Sequence, residues 1–117
     1  MSGATAYHGG QAAEDQVAAR YIRLGAELRA RRWRGRGGEI DLIFATTAGL
    51  VFVEVKRAAS HVMAAQRLGP RQIARLQAAA GEYLAAAPGG QDSDMRFDVA
   101  LVDGAGRIEI VENALWL

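Results

Sequence analysis

The stretch Glu39-Ile40-Asp41-Leu42-Ile43-Phe44-Ala45, then Thr46-Thr47-Ala48-Gly49, then Leu50-Val51-Phe52-Val53-Glu54-Val55-Lys56, decides how this chain reads. The second run is apolar and rich in β-branched residues, the composition of a central strand. The first alternates acid and apolar and then turns apolar, as a strand entering a buried sheet does. With the tight turn between them, residues 38–46 and 50–56 predict a β-hairpin. Period-two geometry places Glu39 and Asp41 on one face of their strand, and Glu54 and Lys56 on one face of theirs. If the strands pair, carboxylates and one ammonium converge on a small patch. Glu54 is the informative residue, because an acid inside Val51-Phe52-Val53-Glu54-Val55 is costly to bury without a partner.

Two carboxylates on adjacent strands suit magnesium, a hard cation that takes about six oxygen ligands and keeps several as water. Asp41 and Glu54 are therefore the expected metal ligands, with the Val55 backbone carbonyl as a further one. Lys56, one pleat along, can orient an attacking water or offset charge on a phosphoryl group. Without metal such carboxylates repel, which weakens the fold for no structural return. The competing reading of Glu54 and Lys56 is a solvated ion pair on an exposed strand face.

Working outward, residues 29–36 read Arg-Ala-Arg-Arg-Trp-Arg-Gly-Arg and run straight into Glu39. Five arginines in eight residues, on a chain of net charge +1, suggest a directed contact with a polyanion. Arg29, Arg31, Arg32, Arg34 and Arg36 are candidate phosphate contacts, and Arg57 joins them. Substituting Arg32 or Arg34 is expected to weaken nucleic-acid binding and flatten its salt dependence. Such runs are also commonly solvated faces, although Trp33 inside this one is unusual. Seven acids gather toward the other end once Glu82 is counted with Asp92, Asp94, Asp98, Asp103, Glu109 and Glu112. Asp98, between Phe97 and Val99, reads best as a core-edge partner for a nearby arginine.

The remaining elements frame the hairpin. Apolar residues at helical spacing predict a helix over 10–24, with Gly25 as its stop. Glu14 lies beside that apolar stripe and can reach the carboxylates if the helix packs over the hairpin; otherwise it is a surface acid. Residues 26–34 read as a short strand, and Gly35, Gly37 and Gly38 as a flexible turn. Residues 57–68 read as a loop, and Pro70 opens a second helix over 70–86. Pro88-Gly89-Gly90 ends it, a polar loop covers 91–95, and strands follow at 96–102 and 107–111. A sheet with a helix on either side buries both faces, so the class is α/β, with a mixed sheet of four to five strands.

The 117 residues suit a single domain spanning 1–117. The absence of cysteine excludes disulfides and thiolate metal sites. Two histidines, His8 and His61, argue against an imidazole-built zinc site and read as inert loop residues. No apolar run approaches the roughly 20 residues of a membrane span, so no membrane contact is expected. The first residues lack the basic and apolar regions of a signal peptide, which makes the cytoplasm the expected location. Trp116 reads as packing.

At this point the motifs can be set side by side: Gly10-x-x-Ala13-Glu14, Trp33-Arg34-x-Arg36-Gly37-Gly38-Glu39-Ile40-Asp41-Leu42-Ile43, Val51-Phe52-Val53-Glu54-Val55-Lys56 and Arg96-Phe97-Asp98-Val99. In this order the chain resembles the YraN family (UPF0102), regarded as restriction-endonuclease-like in fold and similar to archaeal Holliday junction resolvases. The resemblance implies a restriction-endonuclease-like core of order α-β-β-β-α-β-β. It implies a nuclease site in which Glu14, Asp41, Glu54 and Lys56 are catalytic, with Glu14 joining the metal ligands. Two positions depart from the family pattern. Ala58 stands where a basic residue is usual, with Arg57 one place earlier, and Gln72 stands where the second helix often carries lysine. The expectation is a Mg2+- or Mn2+-dependent endonuclease acting on DNA, branched DNA included. A junction-cutting enzyme makes two cuts, so a homodimer is also expected. The alternative is a nucleic-acid-binding adaptor that keeps the nuclease fold with little or no cleavage.

Overall fold

A computed structural model describes residues 3–87 and 94–115, with side chains from residue 10 onward. Helix α1 (Gly3–Arg23) precedes three strands, β1 (Glu27–Arg34), β2 (Glu39–Thr46) and β3 (Gly49–Arg57). Helices α2 (His61–Gln66) and α3 (Pro70–Ala86) lead to β4 (Met95–Val102) and β5 (Ile108–Val111). The five strands form one sheet in chain order. β3 and β4 are parallel and every other pair is antiparallel. Parallel neighbours need a long crossover, which α2 and α3 supply. This is the expected α/β architecture, consistent with a restriction-endonuclease-like core.

Each face of the sheet is buried under helix. On one side Ala13, Val17, Ala18 and Tyr21 of α1 pack on Leu42, Phe44, Val51 and Val53. On the other, Leu76, Ala79, Ala80 and Leu84 of α3 pack on Ile43, Phe52, Phe97 and Val99. Full burial of a large apolar side chain of this kind contributes about 1.5–3 kcal/mol. The hairpin is centred on the pair Ile43 and Phe52, both fully buried.

α1 starts earlier than its apolar stripe, at Gly3, and ends as expected at Gly25. There φ is +97°, and the Gly25 and Ala26 N–H groups donate to the carbonyls of Ile22 and Tyr21 at 3.0 Å each. That is a Schellman stop, which needs the left-handed backbone glycine adopts freely. His8 therefore lies in a helix rather than a loop, its side chain outside the described residues. Met95, expected in a loop, opens β4. Pro88 to Ser93 and Trp116 lie outside the described residues.

Two expectations are corrected. The 57–68 segment is not all loop: Ser60 caps α2, its hydroxyl accepting the Met63 N–H at 3.2 Å. Only Ala64 of this six-residue helix is buried, so it carries no apolar period to read. His61, its first residue, is tied in rather than idle. Its Nε2 lies 2.9 Å from the Arg107 carbonyl oxygen and its Nδ1 3.2 Å from Glu109. Gly35, Gly37 and Gly38 lie in the expected turn, closed by the Gly35 N–H donating to the Gly38 carbonyl at 2.9 Å, and that turn is docked against α3. A Cβ on Gly37 would sit 2.8 Å from that of Ala78, and one on Gly38 3.0 Å from the Arg75 carbonyl oxygen. The glycines serve close approach, and the Glu82 carboxylate locks it by accepting the Arg36 and Gly37 N–H groups, each at 2.9 Å. Those N–H groups, Gly37 first, also hold the Glu82 carboxyl below its ordinary pKa.

Candidate functional site

The β2–β3 ladder runs from Thr46↔Gly49 to Leu42↔Val53. One residue further, Asp41 Oδ2 accepts the Val55 N–H at 2.8 Å, a side chain taking a backbone donor just past the last strand pair. Side-chain alternation slips at the same point. Ile40 belongs to the α3-side core and Leu42 to the α1-side core, although residues two apart normally share a face. β1 is irregular opposite: between the regular pairs Arg31↔Leu42 and Trp33↔Ile40, Arg32 has a φ of +48°. Strict period-two reading does not foresee this kink, which opens the sheet where Asp41 stands.

Glu54 approaches from the α3 side. Phe52, two residues before it, packs under α3, and Gln72 of α3 donates Nε2 to Glu54 Oε2 at 2.8 Å. Lys56 Nζ lies 3.3 Å from the same oxygen. Glu54 is only 4% exposed, and its other oxygen, Oε1, is buried with no hydrogen-bond partner among the described residues. Burial pushes the Glu54 carboxyl up to about 9; the neighbouring Asp41 charge adds to this and Lys56 opposes it. Glu54 and Lys56 are thus not a solvated strand face. Lys56 is also the only lysine in a chain with fourteen lysines and arginines, a compositional signal that singles it out.

On the α1 side a cleft of about 340 Å³ is lined by Glu14, Arg32, Glu39, Asp41, Val55 and Arg57. Ala13 fixes α1 on the sheet, which turns Glu14 toward Asp41. Burial raises the Glu14 pKa, the Arg32 hydrogen bond lowers it and Asp41 raises it again. Arg32 holds Glu14 through Nη2 at 2.9 Å and Nε at 3.3 Å. Glu39 shares the cleft but is paired with Arg34 at 3.0 Å. Asp41, Glu54, Lys56 and Glu14 are therefore brought together, with Asp41 between the two glutamates.

The oxygen-rich donors suit a hard divalent ion, and the partnerless Glu54 oxygen beside Asp41 is a position such an ion would satisfy. Among the described residues no three acids or histidines enclose a metal by themselves, so most of the coordination would fall to water and substrate.

The arginine stripe is largely matched by acids. Arg31 meets Asp15 at 2.8 Å, Arg32 meets Glu14, Arg34 meets Glu39, and Arg29 lies 3.6 Å from Glu27. Trp33 is half-buried against the α3-side core, where it meets Tyr83 edge-on, centroids 5.4 Å apart. Asp98 has the structural role expected of it, paired with Arg96 at 3.0 Å. Sequence reading singles out Gln72 as a departure from the family pattern but does not foresee its hydrogen bond to Glu54.

No helix among the described residues is long and apolar enough to cross a membrane. Residues 13–102 match the family described as uncharacterised protein family UPF0102. A UPF0102 protein of Cereibacter sphaeroides strain KD131 is 55% identical over 114 residues, covering 97% of both chains. One from Ruegeria pomeroyi is 59% identical over 105 residues, covering 90% of this chain and 85% of its own. One from Dinoroseobacter shibae is 43% identical over 111 residues, covering 95% and 83%. With the family match spanning β1 to β4, α3 and the second half of α1, the chain belongs to the UPF0102 family.

Proposed function

We propose that this protein is a metal-dependent endonuclease acting on DNA, with Asp41 and Glu54 holding Mg2+ or Mn2+. The observation that carries the reading is the Glu54 carboxyl, buried close beside Asp41, with Oε1 lacking a hydrogen-bond partner among the described residues. A buried unsatisfied polar group costs about 1–3 kcal/mol, a penalty with a use if a ligand completes it. A bound divalent ion would acidify a coordinated water and neutralise charge building on the phosphoryl oxygens. Asp41 and Glu54 supply the carboxylate oxygens, and the Val55 carbonyl is a further donor. Glu14 assists from the α1 side, near Asp41. Lys56, held beside Glu54, orients the attacking water. Arg57 and the β1 arginines contribute phosphate contacts around the cleft.

A second reading, a DNA-binding adaptor without cleavage, has one specific observation behind it. Arg32 engages Glu14 through two nitrogens, so the third carboxylate is already occupied. One assay separates the two. Purified protein is incubated with junction, flap, single-stranded and duplex DNA, with Mg2+, Mn2+ or EDTA, beside Asp41→Ala. The enzyme reading expects cutting that needs metal and falls at least about a hundredfold in the variant, the loss typical of a removed electrostatic group. Binding without cutting on every substrate would leave the adaptor.

A further inference from the structure

A cleft of about 840 Å³ opens on the other side of Glu39, walled by Gly38, Arg67, Arg71, Gln72 and Arg75. Arg71 and Arg75 are one turn apart on α3, and Arg67 is the C-cap of α2. All three are exposed, and among the described residues none is within ion-pair reach of an acid. The β1 arginines differ, since Arg29, Arg31, Arg32 and Arg34 each face a carboxylate. Like charges one turn apart on a helix repel, so unrelieved cations along one wall serve a polyanion better than they serve the fold. Gln72, on the same wall, hydrogen-bonds Glu54, which sets the cleft one side chain from the candidate metal ligands.

We propose that this α3 cleft, more than the β1 stripe, grips the DNA backbone and leads it to Asp41 and Glu54. The proposal rests on the DNA-directed reading above. Arg71 and Arg75 contact phosphates of one strand, the helical rise of about 5.4 Å per turn setting them at neighbouring positions along it. Arg67 extends the track. The arginines of β1 must give up their carboxylate partners to contribute equally, which lowers their net gain.

The test measures binding of labelled duplex and single-stranded DNA by fluorescence anisotropy, in EDTA, over a series of salt concentrations. Arg71→Ala/Arg75→Ala is compared with Arg31→Ala/Arg34→Ala, and Arg71→Lys/Arg75→Lys serves as the charge-preserving variant. The expected result for the α3 alanine pair is at least about a tenfold loss, with the salt slope reduced by about two. The lysine pair keeps the slope, and the β1 pair loses less than the α3 pair. If wild type binds DNA and the α3 pair binds equally well, or the β1 pair loses more, the cleft assignment is overturned while the DNA reading stands. If the alanine pair does not fold, Arg71→Gln/Arg75→Gln carries the same expectation. A wild type that binds neither DNA, or prefers RNA of the same sequence, overturns the cleft assignment and the DNA reading together.

Discussion

Glu54 and Asp98 are two buried acids on adjacent paired strands, in register one residue apart, and they are provided for in opposite ways. Asp98 faces α1 and is fully buried, with both oxygens engaged. Tyr21 donates its hydroxyl at 2.6 Å, the Asn113 N–H donates at 3.0 Å, and Arg96 supplies the counter-charge. The bond to Asp98 adds to burial in pushing the Tyr21 hydroxyl pKa upward. Glu54 faces α3 with one oxygen served by Gln72 and Lys56, while the other has no hydrogen-bond partner among the described residues and the Asp41 carboxyl stands close by. A carboxylate that holds the fold together is fully satisfied, and on the metal-binding reading proposed above Glu54 would be left open for a ligand. Both are acids in apolar strands, and only their partners tell them apart.

The largest test of this contrast is Asp98→Ala. Removing the buried carboxylate leaves the Tyr21 hydroxyl and the Asn113 N–H without their acceptor and costs the half-exposed Arg96 its nearer partner; the expected loss is about 3 kcal/mol in urea unfolding, the upper figure for a hydrogen bond to a charged group. A loss under about 1 kcal/mol would place Asp98 outside the structural class.

Glu54 predicts the opposite sign. Its folded pKa lies above the ordinary 4.5, so the folded state holds the proton more tightly than the unfolded chain. Stability from the protonated form is full below about 4.5 and lost as pH rises toward about 9. Metal-free wild type should weaken over that window, and Glu54→Gln should flatten the curve and be the more stable at its upper end. The expected gain there is about 1–3 kcal/mol, the cost of an unsatisfied buried group. Thermal unfolding across pH in EDTA measures it; parallel curves for the two proteins would sink the idea.

Gln72→Ala sharpens the contrast at the smallest scale. It removes the α3 hydrogen bond to Glu54, and the expected stability loss is about 0.5–1.5 kcal/mol. On the metal-dependent nuclease reading, cutting should fall far more than that loss explains, because the side chain would position a ligand. Equal, small effects on both would leave Gln72 as packing.

Much of this was readable along the chain. The hairpin, α3 and the order of strands follow from local apolar periodicity and turn residues, which the tertiary structure left intact. Glu54 and Asp98 stood out for the same reason, as acids inside apolar strands. α2 escaped notice because a helix with one buried residue leaves no apolar stripe. The docking of the Gly35–Gly38 turn on α3 is not legible in the sequence, because close packing and freedom in a turn call for the same residue.

What the sequence determined by itself is the α/β frame and the acids and lysine at its centre, because alternation, helical period and burial cost are local properties of a strand or helix. Only the tertiary structure decided which acids are satisfied and which arginines are spent. Arg31 finds Asp15 and Arg32 finds Glu14 across 16 and 18 residues, and Gln72 finds Glu54 across 18. It also decided where the sheet opens at Asp41. Charge partnership is set by distance in space, and a run of arginines carries no record of the carboxylates that the fold folds back onto it.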